Sequence, residues 1–216
     1  MLNPGCTKPS TLGALRQPMH VKDILLELSL DYFRFSDESS LQQLIADGLL
    51  DSEVVESKWL GFESAPESLI KARECELNTR LPRSYYEFLK VSNGFRSVSP
   101  FLDNLLPIEK VNWVRDIEDV AYFEYDYLDF EVSDEVYFDY ENQDSVFYRN
   151  EYFKDSLKVS EWFDGMCVFL NPKIVQNGEW EVLEYATWYP GVNRYRSFRE
   201  YLEKTHKSNL DLLRSR

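Results

Sequence analysis

The stretch Leu81 to Phe95, LPRSYYEFLKVSNGF, constrains the fold more than any other run in the chain. Pro82 suits the first position of a helix, because its φ is already helical and its missing N–H is not needed there. Leu81, Tyr85, Phe88 and Leu89 recur at helical spacing, an apolar stripe that must face a core. Asn93-Gly94 then tolerates the left-handed conformation of a C-terminal cap. Upstream, Ser64-Ala65-Pro66-Glu67 has the residue types of a capping box, in which a hydroxyl and a carboxylate satisfy orphan N–H groups. The spacing predicts a helix from about Ala65 to Leu77, a turn over Asn78-Thr79, and the second helix directly after it.

Around this pair the chain reads as helices early and strands late. Residues 1–20 hold three prolines and no periodicity, and read as a mobile tail with Met19 as an alternative start. Val21 to Phe33 is a first short helical element, and Asp37 caps a helix from Leu41 to Glu56 that Gly48 weakens. Leu105 to Trp113, Leu157 to Glu161, Met166 to Leu170 and Glu179 to Trp188 read as strands, with Asp164-Gly165 a hairpin signal. On the last strand Trp180, Val182 and Glu184 share a face. Pro190-Gly191 breaks it, and Ser197 caps a closing helix to about Lys204. The expected class is α+β: one domain over residues 21–216, with a mixed or antiparallel sheet flanked by helices.

Charge is distributed unevenly. The 216 residues carry a net charge of −14. Between Asp116 and Asp144 stand twelve carboxylates and no Lys or Arg, while the rest of the chain holds 24 bases against 26 carboxylates. Such a surface repels nucleic acid and anionic membrane and attracts a basic protein. Aromatic residues alternate with the carboxylates, as in Tyr125-Asp126-Tyr127, which predicts a hairpin or partly ordered insertion at about 116–150 with a turn at Ser133-Asp134-Glu135.

Reactive chemistry is sparse. The two histidines, His20 and His206, lack a partner at triad or metal-ligand spacing, and no phosphate-binding glycine motif or nucleophile elbow occurs. Cys6, Cys75 and Cys167 are far apart and odd in number, so neither a disulfide framework nor a zinc site is indicated and a reducing cytoplasm is expected. No cofactor or metal is expected. The opening residues lack an apolar core for a signal peptide, around Gly5-Cys6 as elsewhere. Glu179, Glu181 and Glu184 beside Trp180 imitate a glycosidase carboxylate pair, but neighbouring positions on one strand are a poor source of one; two are expected as surface carboxylates and one as a turn tie. Asp139 to Asp144 is oxygen-rich without calcium-loop spacing.

The LPxxYxxFL helix with its terminal Asn-Gly, Trp113 after LLPIEKVN, and the run Gly178 to Phe198, GEWEVLEYATWYPGVNRYRSF, together resemble the SUKH superfamily, the Smi/Knr-like fold. The motifs stand in the family's order over about Leu41 to Lys204. The resemblance implies a binding module without a catalytic site. Many bacterial members are immunity proteins that block a polymorphic toxin encoded beside them, and fungal members are scaffold-like regulators of cell-wall synthesis and signalling. It also implies that Trp113, Trp180 and Trp188 join Leu81, Tyr85 and Phe88 in the core, while Trp59 and Trp162 stay open between core and surface groove. A compact member has a shorter loop where the acidic run stands, so that run is the candidate partner-binding surface. Its candidate residues are Glu118, Asp119, Glu124, Tyr125, Asp126, Tyr127, Asp129, Phe130, Glu131, Asp134, Glu135, Asp139, Glu141 and Asp144. The expected partner is a basic protein, a nuclease-type toxin domain, bound stoichiometrically; the alternatives are a regulatory adaptor and, more remotely, a carbohydrate-active enzyme. The oligomeric state is open, with a monomer favoured.

Overall fold

The computed structural model describes residues 19–117, 131–188 and 191–215. The N-terminal tail through residue 18 lies outside them. Helices α1 (Val21–Phe35), α2 (Glu38–Ala46), α3 (Ser52–Ser57), α4 (Glu67–Glu76) and α5 (Arg83–Val91) come first. The expected Leu41–Glu56 helix is two helices, because Gly48 between them takes a φ of 69°. Asp37 caps α2 as expected, accepting from the Ser40 N–H at 2.9 Å.

The described strands β1 (Asn112–Trp113), β2 (Leu157–Lys158), β3 (Met166–Gln176), β4 (Glu179–Ala186) and β5 (Gly191–Tyr195) form an antiparallel sheet in chain order. The Asp164-Gly165 turn is confirmed: both residues have positive φ, and Phe163 and Met166 exchange backbone hydrogen bonds of 3.1 and 2.7 Å across it. Most of Leu105–Trp113 is not a strand. Ile108–Lys110 coils into a 3-10 turn after Pro107, and only Asn112 and Trp113 pair in register with β2. Helix α6 (Asp134–Tyr137) replaces the turn expected at Ser133-Asp134-Glu135, with Ser133 as its cap. Helix α7 (Phe198–Arg214) starts at the Ser197 cap, as expected, but runs ten residues past Lys204.

One face of the sheet packs on α1, α4, α5 and α7. Tyr85, Phe88 and Phe198 form an aromatic knot there, with ring centroids 4.9 to 5.7 Å apart. Trp113 stacks on Trp180 at 6.4 Å, Trp59 lies edge-on to Phe95, and the indole N–H of Trp113 donates to the Leu77 carbonyl. Alternation along β4 sends Trp180, Val182 and Ala186 to this core and Leu183 and Tyr185 to the opposite face.

The helix ends are tied across the sequence rather than locally. Ala65 donates its N–H to the Leu89 carbonyl at 2.9 Å, which holds the chain extended against α5, and α4 starts at Pro66 with no side-chain cap. The Ser64 capping box is therefore not made. Pro82 stands one position before α5, whose N-terminus is capped from the sheet: Ser84 donates N–H and hydroxyl to the Glu179 carboxylate at 3.0 and 2.6 Å. Asn93-Gly94 lies beyond the helix, which ends at Ser92 in extended conformation. Gly94 (φ 92°) instead admits the Leu105–Pro107 segment, since a Cβ there would lie 2.8 Å from the Leu105 carbonyl oxygen.

Helix α7 is long because α1 holds it. Buried Asp31 of α1 accepts from the ring of His206 at 2.6 Å and from Arg34, and Asn209 donates to the Val98 carbonyl at 2.9 Å. Trp188, expected in the core, is 51% exposed at the end of β4. The two tryptophans thus separate cleanly. Trp180→Ala should cost about 3–5 kcal/mol in a denaturant titration, by cavity formation against Trp113. Trp188→Ala should stay within about 0.5 kcal/mol; equal losses would contradict this division of the core.

Candidate partner-binding surface

The second face of the sheet displays Phe169, Leu183, Tyr185 and Val192, an apolar area that needs a cover. Residues 131–156, which join the described part of the acidic insertion to the 3-10 turn Asn150–Asp155 that follows it, supply it. Phe153 sits edge-on to Phe169 and Tyr185 at 5.3 and 5.8 Å, with Tyr148 beside it and Trp162 against Tyr185. Cys167 is buried here, and desolvation pushes its thiol up to about 11.

The cover also closes the open edge of β5. Gln143 pairs with the backbone of Arg194 in both directions, accepting its N–H at 2.7 Å and donating to its carbonyl at 2.8 Å. Ser145 accepts the Val192 N–H at 2.8 Å. Gly191, at φ 118°, makes that approach possible, because a Cβ there would collide with the Ser145 carbonyl. An exposed row of strand N–H and C=O groups is thereby blocked.

A polar anchor fixes the cover at its centre. Glu181 of β4 is 1% exposed. Its carboxylate accepts from the Tyr137 hydroxyl at 2.7 Å, the Tyr140 hydroxyl at 2.8 Å and the Asn171 amide at 2.8 Å. Burial raises its pKa, against the lowering effect of these donors and of the Arg194 charge. Arg194 is fully buried, donates to the Phe147 carbonyl, and places its guanidinium 4.6 Å from the centre of the Tyr137 ring. Arg149 places its guanidinium 4.5 Å from the centre of the same ring and binds the Val132 carbonyl and Asp134.

The candidate residues divide accordingly. Glu118, Asp119, Glu124, Tyr125, Asp126, Tyr127, Asp129 and Phe130 lie outside the described residues. Glu131, Asp134, Glu135, Asp139, Glu141 and Asp144 are all exposed on the outside of the cover. Asp134 pairs with Arg149, and Glu141 with Arg196 at 2.8 Å. Hydrogen bonds from Asn142 lower the pKa of Asp139, and that from Arg196 lowers the pKa of Glu141, so both carry charge at neutral pH. Phe138 and Val136 are exposed among these carboxylates, at 39% and 42%.

Glu181, Arg194 and Gln143 hold the surface together and were not singled out by the sequence as its supports. The signal was present for Glu181 alone: it lies on the β4 face opposite Trp180, and its partners Tyr137 and Tyr140 are three residues apart in the sequence. The β4 glutamates are not the pair of surface carboxylates and turn tie expected. Glu179 caps α5, Glu181 faces the cover, and Glu184 faces the helices, where it accepts from the Tyr195 hydroxyl at 2.9 Å and the Asn193 amide at 3.2 Å. They point to three different places, which removes the geometric basis of a glycosidase pair in them. Among the described residues, no group of three or more His, Cys, Asp or Glu is arranged to hold a metal, and no helix is long and apolar enough to cross a membrane.

An antiparallel sheet with helices on one face and an acidic cover on the other defines an α+β module. The chain belongs to the SMI1/KNR4 family (SUKH-1), whose model matches residues 64–204. A comparison with curated proteins gives no match. The matched range runs from the start of α4 into α7 and includes the whole cover, while α1 to α3 precede it.

The Glu181 anchor has a pH signature. Its raised pKa means the folded state holds a proton more tightly than the unfolded chain, so its contribution is complete below about pH 4 and declines as pH rises through the folded value. Glu181→Gln cannot ionise. The stability deficit of that variant against the parent should therefore narrow from about pH 4 towards neutrality in urea titrations; a deficit that widens contradicts the assignment. Tyr137→Phe should cost about 1.5–3 kcal/mol, the loss of a hydrogen bond to a charged group.

Proposed function

We propose that this protein is an immunity-type member of its family, which neutralises a basic toxin domain by stoichiometric binding through the acidic cover. The observation that carries the proposal is the cover's sidedness. Tyr137, Tyr140, Tyr148 and Phe153 are buried against the sheet, while all six described candidate carboxylates are exposed. The interleaved aromatics thus have a structural task in this part of the segment, and the outside is left negative without a matching number of bases. A nuclease-type toxin needs a basic cleft to hold phosphates, and a rigid negative face complements such a cleft and speeds encounter. Phe138, exposed between Glu135 and Asp139, is the described aromatic placed to act as an anchor once contact is made.

Family membership supports a protein partner and is compatible with a regulatory adaptor as well. The two are separated by co-expressing the chain with the toxin domain of a gene encoded beside it: restored growth and a 1:1 complex support neutralisation, whereas a neighbourhood without a toxin, or a toxin that remains active, favours the adaptor.

Two variants dissect the surface in that complex. Glu131→Gln with Glu135→Gln should leave the melting temperature unchanged or slightly higher and slow association severalfold at low salt, the difference fading as salt screens charges beyond roughly 8–10 Å. Phe138→Ala should act mainly on dissociation. Stopped-flow traces in which the carboxamide pair associates as fast as the parent would remove the carboxylates from the account.

A further inference from the structure

On the helical side of the sheet, opposite the acidic cover, a cleft of about 230 Å³ opens between the second half of α7 and the sheet end formed by Met166, Glu184 and Asn193. Trp188 and Phe101 stand at its rim, 51% and 41% exposed, with ring centroids 5.5 Å apart. Glu184 is in its wall, 9% exposed and held by the Tyr195 hydroxyl and the Asn193 amide. Lys204 also borders the cleft, and its ammonium is engaged by Glu200 at 3.3 Å.

We infer that this cleft receives an arginine side chain displayed by a polypeptide partner. Two aromatic rings, tilted 50° to each other, and a carboxylate line one cleft, and a guanidinium group stacks on aromatic faces and donates in a fixed fork to a carboxylate. The volume suits one long side chain and is below the range of about 300–1,000 Å³ typical of sites for whole small molecules. The Glu184 carboxylate supplies the charge that a cation meets in the cleft, with Lys204 drawn off by Glu200. A second cleft, also about 230 Å³ and walled by Tyr32, Phe35 and Pro100, meets the first at Ser99 and Asn209. A main chain laid over that junction can place the arginine in the first cleft and an apolar neighbour in the second. The inference does not depend on the toxin reading, since it needs only a partner with an exposed arginine.

The test uses capped pentapeptides with Gly and Ala flanking one central Arg, Lys, Leu or Glu, titrated into the isotopically labelled full chain. The Arg peptide should shift the Trp188 indole N–H resonance and the amides of Phe101 and Asn193, with Lys weaker and Leu and Glu inert at the same concentration. Glu184→Gln should weaken the Arg peptide roughly tenfold, as expected for losing a charge-assisted contact. Trp188→Ala, a change at an exposed ring, should weaken it as well and guards against a folding defect in the glutamine variant. Equal binding of Leu, Glu or Lys peptides, shifts confined to other residues, no binding at millimolar peptide, or an unchanged affinity in Trp188→Ala would each overturn the inference.

Discussion

The buried contact between Glu181 and the hydroxyls of Tyr137 and Tyr140 is the constraint on which the rest of this structure depends. A short antiparallel sheet with helices on one side leaves its other side apolar and its last strand unpaired. The cover solves both problems, but it has little regular structure of its own: α6 is four residues long. It therefore needs fixed points on the sheet. A carboxylate taken out of water is costly unless hydrogen bonds satisfy it, and three donors converge here. The same expense makes the arrangement specific, because slipping the cover by a residue would leave Glu181 without its partners.

This explains how one segment can be rich in both aromatic rings and carboxylates. Inward residues fill the apolar face and complete the anchor. Outward residues face solvent and accumulate negative charge, tempered where Arg149 and Arg196 reach Asp134 and Glu141. Charge on the outside and rings on the inside are two consequences of one packing requirement. Function, in the proposed account, uses the outside.

Much of this was legible in the sequence. The Asp164-Gly165 turn, the Asp37 and Ser197 caps, and the two-sided alternation of β4 followed from local rules because local groups satisfy them. The misses share a cause. Ser64 and Asn93-Gly94 carry cap chemistry, but Leu89 and the Leu105–Pro107 segment compete for their backbone and prevail. Strand β5 buries Arg194, and the far half of α7 buries Thr205 and Asn209, so neither shows the apolar pattern that announces such an element. The aromatic–carboxylate alternation of the insertion looked like a contact surface throughout; in its described half the tyrosines pack inward at helical or irregular spacing. Trp188 was placed in the core by resemblance alone, and it stands half exposed just beyond the end of β4. Partners distant in sequence decide each of these cases.

The central claim is that the outside of the cover is the contact face. Hydrogen–deuterium exchange on the complex with the toxin domain addresses it directly, because each backbone segment reports separately. The account predicts added protection concentrated in residues 131–144, over α6 and the Asp139–Asp144 turn, with α2 and α3 unchanged. Protection confined to the helical face, with residues 131–144 exchanging as in the free protein, would contradict it.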